Sequence, residues 1–112
     1  MSAITTHVLD MSTGRPAAGV PVTLERQADR GWHSAGQGVT KQDGRVTDLL
    51  AGSTLAPGTY RLTFDTATYF KTKNQPAFYP QVQVMFTVGD AGQHYHVPLL
   101  LSPYGYSTYR GS

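Results

Sequence analysis

Residues 82–88 read VQVMFTV. Val82, Val84, Phe86 and Val88 fall on every second position, with Gln83, Met85 and Thr87 between them. Successive side chains of a strand point to opposite faces, so this period of two predicts one buried and one exposed face. The same period recurs on either side. In APGTYRLTFD, residues 56–65, a Pro-Gly turn leads into Tyr60, Leu62 and Phe64 on one face. VPVTLERQ, residues 20–27, repeats it with Val20, Val22 and Leu24, and AITTHVLD, residues 3–10, sets Ile4, Thr6 and Val8 against Thr5, His7 and Leu9.

Turn residues separate these runs. MSTGRPAAG (11–19) is rich in Gly and Pro, ADRGWHS (28–34) is a hairpin turn entering a strand that carries Trp32, and KQDGRV (41–46) holds Asp43-Gly44, a tight-turn pair that presents Arg45 just after it. TATYFKTKN (66–74) breaks the alternation and reads as one short helix, while HYHVPLLL (94–101) and YGYSTYR (104–110) supply two final strands. About eight short strands with frequent turns predict an all-β, two-sheet sandwich, with a closed barrel as the runner-up.

The chain of 112 residues fits a single domain spanning 1–112. Nine Lys and Arg against seven Asp and Glu leave a charge of only +2, scattered along the chain, which argues against a nucleic-acid partner that would need a clustered basic stripe. With no cysteine there is neither a disulfide framework nor a thiol nucleophile. No apolar run approaches the ~20 residues of a membrane span. MSAITTHVLD lacks a basic segment followed by a long apolar one, so a cytoplasmic location is expected. VPLLL, residues 97–101, is apolar on both faces. Such a strand needs a second covering layer, which in a domain this small is expected to be another subunit in a symmetric oligomer.

The reactive inventory is short. His94 and His96 share a strand face, a spacing open to three readings: a metal pair, a catalytic or binding imidazole, and ordinary strand residues. No Cys or nearby carboxylate completes a metal set, so no metal is assigned. His7 is either a satisfied half-buried histidine or a general base. Arg45 is either a solvated strand residue or a ligand anchor; His33 reads as surface, and Asp10 receives no role. At the end of the chain, alternation sets Arg110 and Ser112 on one face and Tyr109 and Gly111 on the other. A hydroxyl beside an arginine there suits a small polar ligand such as a ureide or purine-like ring, and equally an interface salt bridge.

THVLD, TLERQADRGW, TKQDGRV, PGTYRLTFDTATYF, FYPQVQVMF and HYHVPLLLSPYGYSTYRGS together resemble the 5-hydroxyisourate hydrolase family, the transthyretin-related enzymes of urate breakdown. The resemblance runs through essentially the whole chain, and the terminal YRGS is the mark that separates these enzymes from the hormone carrier of the same fold. It implies a two-sheet transthyretin-like sandwich of about eight strands with one short helix. It further implies a homotetramer, a dimer of dimers, with active sites in the channel between the dimers, and no cofactor. The implied reaction is hydrolysis of 5-hydroxyisourate. The implied catalytic residues are His7, Arg45, His96 and Ser112, and the implied substrate-binding residues are Tyr109, Arg110 and Gly111. The rival reading is a carrier of a small ligand in the same channel.

Overall fold

The computed structural model describes residues 3–112. Nine strands and one helix follow in the order β1 (Ile4–Asp10), β2 (Arg15–Pro16), β3 (Pro21–Ala28), β4 (Gly31–Val39), β5 (Arg45–Val46), β6 (Gly58–Phe64), α1 (Thr66–Thr72), β7 (Val82–Val88), β8 (Tyr95–Ser102) and β9 (Gly105–Thr108). They form two sheets. One has the order β4-β3-β6-β7, and the other the order β2-β1-β8-β9 with β5 also paired to β1. The sandwich expected from the alternation is therefore present, and the barrel is not.

The alternation is cashed out in burial. Val22, Leu24, Leu62 and Phe64 from one sheet meet Ile4, Val8, Leu99 and Leu101 from the other, all essentially inaccessible. Each such side chain withdrawn from water is worth about 1.5–3 kcal/mol, which makes these inward positions the source of the fold's stability. A one-residue slip would turn every one of them outward, so the pattern also pins the register. Among the described residues no helix is long and apolar enough to cross a membrane.

The strand that matters most for function is β1. It lies between β8, which it pairs in parallel, and the short β5, which it pairs antiparallel. The register aligns Thr5 with His96, His7 with Pro98 and Leu9 with Leu100 across β1 and β8, and His7 with Arg45 across β1 and β5. Ile4, Thr6, Val8 and Asp10 of β1 are buried inward, so Thr5, His7 and Leu9 face the outer surface of this sheet together with His96 and Arg45.

Asp10, given no role from sequence, proves to be a structural joint. It is fully buried, and its two oxygens accept from the Tyr69 hydroxyl at 2.6 Å and from the Ser12 backbone N–H and hydroxyl at 2.9 and 2.6 Å. Burial pushes its carboxyl up, but the hydrogen bonds from Ser12 and Tyr69 outweigh that, leaving it below 3.8. Tyr69 lies on α1, whose first turn is capped by Asp65 accepting from the Thr68 N–H at 3.1 Å. The helix is thereby tied to the end of β1.

Two local readings differ from expectation. The 11–19 turn contains a two-residue strand, β2, because Leu9 and Asp10 pair with Pro16 and Arg15. The last strand stops at Thr108 rather than running to Arg110: the next position opposite it is Pro98, which has no N–H to donate, and pairing resumes in the same register where Gly111 meets His96.

Candidate active site

His7 and Arg45 meet because of the Asp43-Gly44 turn. Gly44 adopts φ +79°, and a Cβ there would collide with the Val8 carbonyl oxygen and lie 3.2 Å from His7 Cδ2. Only glycine meets both demands. Its carbonyl accepts from the Val8 N–H at 2.8 Å, which seats the turn on β1 beside His7. Asp43 accepts from the Arg45 N–H at 3.0 Å. Its carboxylate stands 4.0 Å from Arg45 Nε, with the two side chains 61% and 46% exposed. So loose and solvated a pair holds the guanidinium weakly. Among the described residues it is the one ion pair of Arg45, which leaves most of the side chain's fixed donors for a ligand.

His96 is held more firmly. The Thr5 hydroxyl, on a residue 3% exposed, lies 2.8 Å from His96 Nδ1 and 3.1 Å from His94 Nε2. The two imidazole planes are nearly parallel, 14° apart, with centroids at 6.3 Å. Burial disfavours the charged form of His96, the Arg45 guanidinium and then the His94 and His7 imidazoles add to that, and a backbone hydrogen bond with Thr5 works against it. The net effect holds His96 below its ordinary 6.5, so the ring is neutral at pH 7 and fit to accept a proton.

The chain's last residues cross this ring. The Gly111 N–H donates to the His96 carbonyl at 2.8 Å, and an added Cβ on Gly111 would lie 2.7 Å from His96 Cδ2. Glycine at 111 is thus a close-approach position. Ser112 follows it and is exposed.

Arg110 goes elsewhere. Its guanidinium stacks over the Tyr95 ring at 4.6 Å and donates to Gln93 Oε1 at 2.8 Å and to the His94 carbonyl at 3.4 Å. Tyr109 and Arg110 line a groove of about 250 Å³ with Val84, Phe86, Tyr95 and Val97, at the open side of the sandwich beside β7. That concavity contains none of the histidines; the chemistry lies on the open outer face of the other sheet.

His7, Arg45, His96 and Gly111 therefore converge within one chain, Ser112 adjoins them, and Tyr109 and Arg110 face the groove. His33 is exposed on β4. Among the described residues no group of three or more His, Cys, Asp or Glu is arranged to hold a metal ion. Thr5 escaped the sequence reading. Alternation already placed it on the face of His7, but nothing in the sequence distinguishes it from the neighbouring threonine, Thr6, which turns inward to donate to the Val97 carbonyl at 2.6 Å.

A two-sheet sandwich whose outer face joins paired imidazoles to a guanidinium is a transthyretin-like fold carrying a polar, basic site. The chain belongs to the HIUase/Transthyretin family, whose model matches residues 4–111. It is 50% identical to 5-hydroxyisourate hydrolase of Salmonella dublin over 109 residues, covering 97% of this chain and 80% of that protein. It is 48% identical to 5-hydroxyisourate hydrolase of Mus musculus, covering 99% and 96%. Among solved structures, Klebsiella pneumoniae 5-hydroxyisourate hydrolase superposes with a TM-score of 0.85 at 38% identity, covering 97% and 98% of the two chains. Sea bream transthyretin in complex with thyroxine superposes with a TM-score of 0.92 at 28% identity, covering 98% and 95%.

Proposed function

We propose that this chain is a cyclic amide hydrolase that opens 5-hydroxyisourate to 2-oxo-4-hydroxy-4-carboxy-5-ureidoimidazoline in urate breakdown. The observation that carries the reading is the outer-face cluster of His7, Arg45 and His96, with protonation of His96 disfavoured by burial and the nearby Arg45 guanidinium. Fold alone does not separate hydrolase from carrier, since the chain superposes closely on both. The chemistry of the site supports the hydrolase. A carrier site for an apolar ligand wants an apolar lining, whereas this face is basic and hydrogen-bonding.

Water attack on a ring lactam carbonyl needs a base, a counter-charge for the developing oxyanion and a proton for the departing nitrogen. His96, or His7 in its place, removes the proton from water and returns it later. Arg45, which never loses its charge, aims N–H donors at the carbonyl oxygens of the flat ring. Gly111 and Ser112 hold the ring against the His96 edge, and such orientation is worth several kcal/mol, to order of magnitude. Arg110 and Tyr109 contribute to substrate binding in the assembled protein. The assembly we infer is a homotetramer, a dimer of dimers, acting in the cytoplasm with its sites at the dimer–dimer interface. The unpaired edges of β7 and β9 and the half-buried apolar Leu9 and Leu100 beside the histidines support it.

The test generates 5-hydroxyisourate with urate oxidase and follows its ultraviolet absorbance with and without the protein. Faster decay is expected, with His7→Ala and Arg45→Ala each lowering the rate about 100-fold or more while the oligomer stays intact. Unaccelerated decay, with tight binding of an apolar aromatic ligand instead, would establish the carrier reading.

A further inference from the structure

Thr5 presents one hydroxyl to two ring nitrogens, His96 Nδ1 at 2.8 Å and His94 Nε2 at 3.1 Å. A hydroxyl has a single proton to donate, and a neutral imidazole carries one N–H and one lone pair. The three groups are consequently not independent. If Thr5 donates to one ring, it must accept from the other for both contacts to be favourable.

We propose that Thr5 is a positioning residue whose hydroxyl joins His94 and His96 into a single proton-relay pair, a proposal that rests on the hydrolase reading above. In the resting state His96 Nδ1–H donates to Thr5 Oγ1, and Thr5 O–H donates to His94 Nε2. His96 Nε2 is then a lone pair, which is the form a general base requires. As the oxygen of water bonds to the lactam carbon, the water proton passes to His96 Nε2. The Nδ1 proton moves to Thr5 Oγ1 and the Thr5 proton moves to His94 Nε2, so His96 ends neutral and His94 ends as the cation. The reverse sequence delivers the proton from His96 Nε2 to the ring nitrogen as the C–N bond breaks. No proton or electron pair is left over.

The geometry shows why the charge would move. His96 is half-buried with Arg45 and His7 around it, whereas His94 is exposed, one residue before β8 begins. Water stabilises an imidazolium better at the exposed position. The groups facing the pair are the Arg45 guanidinium and the His7 imidazole from the β5–β1 side and the Arg110 guanidinium, 3.4 Å from the His94 carbonyl. Arg110 opposes the cation on His94, but it already stacks on Tyr95 and bonds Gln93. Sequence reasoning left His94 without a role, and the relay supplies one that needs no metal ligand.

The test pairs nitrogen-15 NMR of the imidazoles with kinetics on the intact protein. At a pH where both rings are neutral, His94 and His96 should both show the Nδ1–H tautomer, the reverse of the Nε2–H form that free imidazole side chains favour. Thr5→Val, which keeps the shape and removes the hydroxyl, should release both rings to Nε2–H. It should also lower kcat for 5-hydroxyisourate about tenfold with KM changed less than about twofold, the size expected for a weakened base. Thr5→Ser should restore the tautomers and most of kcat. His94→Gln, whose amide fills similar space but takes up no proton, should lower kcat by a similar factor. Nε2–H tautomers in the wild-type protein, or a Thr5→Val enzyme with unchanged tautomers and kcat, would overturn the relay. A wild-type protein that shows the linked tautomers but does not hydrolyse the substrate would overturn the hydrolase reading instead.

Discussion

Gly111→Ala separates the role of the terminal residues in the site from their role in the fold. An added Cβ would lie 2.7 Å from His96 Cδ2 and 3.4 Å from both His96 Cγ and Pro98 Cγ. Real Cβ contacts are essentially never under 3.0 Å, so something must shift by several tenths of an ångström. Two outcomes compete. Pushing the His96 ring aside strains a well-packed position and stretches its 2.8 Å contact with Thr5, an overpacking cost of about 1–3 kcal/mol. Lifting the terminal residues sacrifices chiefly the 2.8 Å bond from the Gly111 N–H to the His96 carbonyl, about 0.5–1.5 kcal/mol net. The lower cost wins, so the tail lifts and His96 stays. The melting temperature then falls by no more than several degrees, as about 1 kcal/mol does in a domain near this size. Activity should suffer far more, because a misplacement of about 1 Å in a positioning element costs roughly 100-fold. Calorimetry and the 5-hydroxyisourate decay assay on the same sample decide it. Wild-type kcat/KM in Gly111→Ala would refute the close-approach reasoning, and so would a loss of folded protein large enough to account for the lost activity.

Two further perturbations probe charge and packing. His96 has a folded-state pKa below its ordinary 6.5, so the unfolded chain binds more protons as the pH drops through that region. Its contribution to stability is accordingly complete above 6.5 and is lost as the pH falls toward the folded value. The acid limb of kcat/KM should therefore have its midpoint below 6.5, and NMR titration of Arg45→Gln should show the His96 pKa rising; a midpoint at or above 6.5 would contradict the burial argument. Tyr69→Phe removes a buried donor from Asp10 and should cost about 1–3 kcal/mol by chemical denaturation with hydrolysis unchanged at 25 °C. Asp10 is held below 3.8, so its stabilisation is present above that value and disappears as the pH falls through the lowered pKa. The same substitution should move acid unfolding to higher pH, and an unmoved transition would show that the Tyr69 bond does not set the carboxyl's affinity.

Much of the fold was legible because its signals are local. Period-two alternation in VQVMFTV, YRLTF and VTL assigns each side chain to a face without any knowledge of the partner strand, and the structure buries the faces so assigned except at Val84 and Phe86, which are half-buried. The helix was marked by the loss of that alternation, and Asp43-Gly44 by its turn chemistry. What remained hidden depends on contacts distant in sequence. Asp10 looked idle because its donor Tyr69 lies 59 residues away. The terminal strand was drawn without its break because the break lies opposite Pro98 of the neighbouring strand, a partner that the local pattern does not name.

The candidate site divides along the same line. Residue type and spacing left His7, Arg45, the His94–His96 pair and the terminal segment each with an ordinary structural reading beside a chemical one, the family resemblance supplied the catalytic set, and alternation determined which of them share a strand face. Only the tertiary structure decided that β1 and β8 run side by side in parallel, which sets Thr5 opposite His96 across 91 residues of chain. Spacing along one strand constrains faces but carries no information about which strand becomes its neighbour. That choice is made by burial of the inner faces of both sheets, and it turned two histidines of uncertain purpose into a pair sharing one hydroxyl.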